Sequence, residues 1–170
     1  MINIRKGLFE TNSSSTHAIC IGKNNHDLEI PSELTFKVGE FGWENAIHDD
    51  VMTLASYLYT ALTECFNKKS LTKHVNHIYT LLGHNGCKAT FIEPSADEWG
   101  FAEGHIDHSE ELGDFLNRVL SSDKALLRYL FSPDSFIVTG NDNGDWYFDY
   151  MDDFKRYKDS KNVEIFEKWN

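Results

Sequence analysis

Residues with the chemistry to do work gather in three stretches of this 170-residue chain. The first is Glu10-Thr11-Asn12-Ser13-Ser14-Ser15-Thr16-His17, in which a run of small polar residues separates an acid from an imidazole. Such side chains compete with helix and sheet for backbone hydrogen bonds. Together they present hydroxyls and backbone N–H groups, the chemistry that receives a phosphate or another oxyanion. Glu10 and His17 are the acid–base candidates. The same residues also fit a polar loop that caps neighbouring elements, and residue types alone favour that plainer reading.

The second stretch is Glu103-Gly104-His105-Ile106-Asp107-His108. Imidazole and carboxylate together suit zinc or a harder cation. The His105–His108 gap is a common one, however, and spacing fixes no third ligand, so no metal is assigned, although the residues leave room for a divalent ion. His74 and His77 share that gap beside an apolar helical stripe and read as surface or boundary residues. The third stretch, Gly140-Asn141-Asp142-Asn143, follows an apolar strand, and site residues gather where such strands end. It is also a composition that makes a hairpin turn unaided. Asp142, Asn143 and Asp145 hint at a calcium loop, but the flanking helices and terminal Glu are missing. Phosphate-loop, HExxH, GxSxG and paired CxxC motifs are absent. Trp43, Trp99, Trp146 and Trp169 lie in or near loops, where aromatic rings stack bases, anchor an interface or cover a core.

The net charge of -11 sets these stretches on a surface that repels nucleic acid in general. General DNA binding is therefore not expected. Two roles survive: an enzyme with a local site, or an acidic face that meets a basic partner. Apolar runs are far shorter than a membrane span, and the first residues lack the apolar core of a secretory signal. A soluble cytoplasmic protein is expected. Cys20, Cys65 and Cys87 are odd in number and widely spaced, which predicts reduced thiols, with Cys20 and Cys65 as small core residues.

The elements that must hold these residues follow from periodicity. Residues 17–21, 34–38, 88–93 and 135–139 read as strands, the last of them central because it is almost continuously apolar. Helical spacing covers 46–66 and 70–82, a hairpin closed by Asn67-Lys68-Lys69 with Ser70 as N-cap. Two shorter helices follow, one capped by Ser109 and one over 123–131. Residues 95–109 read as a long loop, 140–145 as a tight turn and 163–169 as an edge strand or short helix. The order lacks strict βαβ alternation. It predicts one α+β domain, a mixed or antiparallel sheet packed against the helical hairpin and further short helices.

The opening Arg5-Lys6-Gly7-Leu8-Phe9-Glu10-Thr11-Asn12-Ser13-Ser14-Ser15-Thr16-His17, with Ile106-Asp107-His108 and Asn141-Asp142-Asn143, resembles a family of small proteins from phages and mobile elements of Gram-positive bacteria. The opening match is long and specific; the other two are short, and all three cover under a quarter of the chain. Some type II anti-CRISPR proteins are similar to this family. The resemblance implies an anti-defence protein acting in the bacterial cytoplasm on an RNA-guided effector nuclease, its guide RNA, or both. It further implies one composite site. Glu10 and His17 would be acid–base groups, and Asn12, Ser13, Ser14, Ser15 and Thr16 would hold a phosphate. Asp107, His108 and Asp142 would complete the site, flanked by Asn141 and Asn143. Members often carry Gln-Ser after Ile-Asp-His, whereas this chain has Ser109-Glu110, so no role is carried onto those positions. Three functions are thus in contention: a guide-RNA-cleaving inhibitor, a binding-only inhibitor with an acidic nucleic-acid-like surface, and a phosphate-ester or nucleotide enzyme unrelated to defence.

Overall fold

The computed structural model describes residues 15–23, 28–42, 46–95, 104–107, 112–141 and 163–168, with 15–17, 140–141 and 163–168 described by their backbone. The fold is α+β. In chain order the elements are β1 (Ser15–Gly22), β2 (Glu33–Phe36), β3 (Glu40–Phe41), β4 (Ala46–His48), α1 (Val51–Cys65) and α2 (Lys68–His84). There follow β5 (Lys88–Phe91), β6 (His105–Ile106), α3 (Leu112–Val119), α4 (Asp123–Phe131), β7 (Phe136–Asn141) and β8 (Val163–Lys168).

Among the described residues the strands form three separate sheets rather than one. A four-stranded sheet runs β4-β7-β1-β8 and is antiparallel at every pairing; β2 with β5 and β3 with β6 are short parallel pairs. β1 and β7 occupy its centre, as their continuous apolar runs require. Ile19, Ile21 and Ile137 enter the main core on one face, while Ala18, Cys20, Phe136 and Val138 form a second cluster with Ile47 on the other. Of the stretch read as an edge strand or short helix, residues 163–168 form the edge strand β8.

α1 and α2 pack on the β2–β5 pair, and α4 packs against β1. The α1 stripe of Leu54, Leu58, Ala61 and Leu62 is fully buried. Tyr57 and Tyr129 are buried in an edge-to-face series from Phe41 through Tyr57 and Phe115 to Tyr129, with centroids 5.0, 5.7 and 5.2 Å apart. The Tyr129 hydroxyl donates to the Leu54 carbonyl at 2.9 Å, so its polar tip is satisfied in the core. Burial pushes both phenols well above their ordinary range, with Glu64 and Cys65 adding to the effect at Tyr57, and Tyr57 adding to it at Tyr129.

Several boundaries differ from the periodicity, for local reasons. Residues 46–48 continue the apolar pattern of α1 but pair as β4 with β7. The helix begins after Asp50, whose carboxylate accepts the Thr53 N–H at 2.8 Å. That capping bond fixes the N-terminus more firmly than hydrophobic spacing does. The second helix starts earlier than Ser70, because Asn67 caps it by accepting the Ser70 N–H at 3.1 Å, and it runs through Gly83. Gly86 follows with φ +79, the left-handed region glycine favours. β3 and β6 fall in stretches read as loop, and Gly140 and Asn141 continue β7 instead of turning. Cys65 is exposed, contrary to a core role, while Cys20 and Cys87 are buried; none forms a disulfide.

Candidate functional site

Four of the singled-out positions, Ser15, Thr16, His17 and Asn141, meet at one end of the four-stranded sheet. The β1–β7 register pairs Ser15 with Asn141, Thr16 with Gly140 and His17 with Thr139. Residues far apart in sequence thereby become direct cross-strand neighbours, with Ser15, His17, Thr139 and Asn141 at positions of one face and Thr16 at a position of the other. Thr139 is 2% exposed, and its hydroxyl oxygen lies 3.2 Å from Nε2 of His48, a half-buried imidazole at the end of β4. His48 and Thr139 were not legible as site residues, because 46–48 reads as the first turn of a helix.

Asp107 follows β6 and is tied by its backbone to β3. Its N–H donates to the Phe41 carbonyl at 2.9 Å, and the Phe41 ring meets the His48 ring edge-on at a centroid distance of 5.8 Å. Contacts therefore run without a break from Asp107 through Phe41, His48 and Thr139 to the strand position of His17. The 104–107 segment is held close to β3 by Gly104, which has φ +88. A Cβ at Gly104 would lie 2.5 Å from Cβ of Val38, so both conformation and space require glycine.

Glu64 anchors the same segment from α1. One carboxylate oxygen, Oε1, accepts from Nδ1 of His105 at 2.7 Å and from the Ile106 N–H at 2.8 Å. Both side chains are mostly covered, 18% exposed for Glu64 and 27% for His105. The other oxygen, Oε2, is buried and makes no hydrogen bond. A signal for Glu64 existed in the sequence: it falls three and seven residues after Ala61 and Tyr57, on the buried stripe of α1.

Asp50 sits two residues beyond His48. Burial raises its carboxyl, but the side-chain and backbone hydrogen bonds from Thr53, the backbone of Met52 and the charge of His48 outweigh it and hold the group below its ordinary value. His74 and His77 take no part here. His77 pairs with Asp123 at 3.0 Å on the surface, and the His74 ring stacks on Phe66. Burial, then Lys73 and His77, push the His74 imidazole down.

Of the remaining expected site residues, Glu10, Asn12, Ser13, Ser14, His108, Asp142 and Asn143 lie outside the described residues, as do Trp43, Trp99, Trp146 and Trp169. Among the described residues no three His, Cys, Asp or Glu are grouped to hold a metal ion, and no helix is long and apolar enough to cross a membrane. A groove of about 350 Å³ between the end of α2 and β5, lined in part by Tyr79, Gly83, Cys87 and Lys88, contains none of the expected site residues. No protein-family model, curated protein or solved structure matches the chain.

Proposed function

We propose that this chain is an anti-defence protein, similar in action to anti-CRISPR proteins, that disables an RNA-guided nuclease by cleaving its guide RNA. The observation that carries the reading is the β1–β7 register, with Ser15 opposite Asn141 and His17 opposite Thr139, beside the His48 imidazole. Two imidazoles near one strand end suit proton transfer to and from a phosphodiester. Hydroxyl and amide groups at Ser15 and Asn141, register partners on the same face as His17, suit its non-bridging oxygens. By the family resemblance Glu10 shares the acid–base role with His17, and Asp107, which follows β6, completes the site with His108 and Asp142.

The charge of -11 fits this target better than it fits free RNA. A chain that repels polyanions in general gains access to RNA most easily when a basic effector protein already holds that RNA and neutralises part of its charge. The same charge favours a second reading, a binding-only inhibitor whose acidic surface occupies the nucleic-acid groove of the effector.

The two are separated by incubating guide RNA with the protein, with and without the effector nuclease, for wild type and His17→Ala. The proposal expects shortened RNA with wild type in the presence of the effector and intact RNA with His17→Ala. Intact RNA in every lane together with full inhibition by His17→Ala would establish the binding-only reading. Cleavage that ignores the effector would point to a general phosphate-ester enzyme.

A further inference from the structure

We propose that the exposed face of α2, with the groove between its end and β5, binds a single-stranded stretch of RNA: lysines take phosphates and the Tyr79 ring stacks on a base. The ligand class, RNA, rests on the reading given above; the surface itself stands on three separate observations.

The first is charge. Residues 65–92 hold four lysines and three histidines, and every one of the chain's 27 acids lies outside them. On a chain of net charge -11 this is a local reversal of sign. Lys69, Lys73, Asn76, Thr80 and His84 recur at helical spacing and are all exposed. They form one row along a helix of 17 residues, about 25 Å in length. Lys68, Lys69 and Lys73 make no ion pair among the described residues. Two acids adjoin the face: Asp123 of α4 pairs with His77 at 3.0 Å, and Glu33 of β2 is the register partner of Lys88. Phosphates are therefore assigned to Lys68, Lys69 and Lys73.

The second is where those lysines stand. Lys68 and Lys69 occupy the first turn of α2, the end at which the helix dipole disfavours a cation. α3 and α4 follow the favourable rule, with Asp114 and Asp123 in their first turns. Cations held against the dipole are better accounted for by an anionic partner than by the stability of the helix.

The third is the groove. It has a volume of about 350 Å³ and is lined in part by Tyr79, Gly83, Gly86 and Lys88. Tyr79 is 58% exposed. Gly83 lies four residues on, at the position whose side chain would cover the Tyr79 ring. A Cβ there or at Gly86 would meet nothing within 4 Å. The ring is left open beside a cavity, close to lysines, as a base-stacking platform requires. An acidic protein segment fits this face less well. Tyr79 is the only large hydrophobic side chain exposed on α2, and a protein interface needs an apolar centre.

The test measures binding of a fluorescein-labelled oligouridylate to the full chain by anisotropy at several salt concentrations. Wild type should bind with an affinity that falls as salt rises. The triple variant Lys68→Glu, Lys69→Glu, Lys73→Glu should lower the affinity about tenfold or more and flatten the salt dependence. Gly83→Leu should lower it about fivefold or more, because leucine fills the space beside Tyr79. Leucine is the better helix former, so the urea midpoint should not fall and lost binding is separated from lost fold. Labelled polyglutamate is the acidic-peptide control. No salt-dependent binding by wild type, either variant binding like wild type, or polyglutamate bound as tightly as the RNA overturns the inference. Guide-RNA cleavage is read separately: the expected binding pattern without any cleavage supports this surface and overturns the cleaving reading, whereas cleavage without that pattern overturns this surface and leaves the His17 reading standing.

Discussion

One side of the β1–β7 pair has two ends with different chemistry. At one end Ile19, Ile21 and Ile137 pack into the main core. At the other, Thr139 is equally buried but polar, His48 reaches its hydroxyl, and Ser15 and His17 stand opposite Asn141 and Thr139. Backbone geometry and strand alternation are the same at both ends. Burying a hydroxyl and an imidazole where aliphatic groups would fit gives up hydrophobic stabilisation and obliges each polar atom to find a partner. The apolar end supplies stability; the proposed function assigns chemistry to the polar end.

Substitutions at the two ends should therefore separate activity from stability. His48→Ala should lower RNA cleavage by about 10²–10⁴-fold, the range of a lost acid–base group, with only a small change in the urea midpoint. Ile137→Ala should do the reverse, costing about 2–5 kcal/mol in urea unfolding while the cleavage rate per folded molecule stays near wild type. Activity lost at both ends, or at neither, would break the comparison. Gly104→Ala should cost about 1–2 kcal/mol from its left-handed backbone, and more from the contact with Val38. It should also weaken cleavage, because the segment bearing Asp107 would shift.

The smallest effect belongs to the core between the helices. Tyr57 and Tyr129 are held protonated by burial, above an ordinary value of 10.0. The raised folded value makes their contribution fully present below about pH 10, and it is lost as pH rises beyond that, because the unfolded phenols ionise first. Urea unfolding should show a fall in stability above about pH 10, and Tyr129→Phe should make that fall shallower while costing about 1 kcal/mol at neutral pH through the lost bond to Leu54.

The α+β class, α1, α2 and α4, and the central position of β7 were legible because each rests on a long apolar period or run. β3 and β6 were not: two-residue strands carry no period, and their pairing depends on Gly104 and on the distant Glu64. β4 was hidden because Ile47 continues the helical stripe of α1, and with it the His48–Thr139 contact was hidden too. Ser15 and Asn141 stood out by residue type, yet their pairing is a property of strand register that no local pattern specifies. Glu64 carried a readable signal, a carboxylate on a buried stripe, whose partner His105 only the fold identifies.

The most direct measurement of the central claim is the length of effector-bound guide RNA after incubation with wild type, His17→Ala and Ile21→Val. The account predicts shortened RNA with wild type and with Ile21→Val, and intact RNA with His17→Ala. Guide RNA left intact by wild type, or shortened equally by His17→Ala, would contradict it.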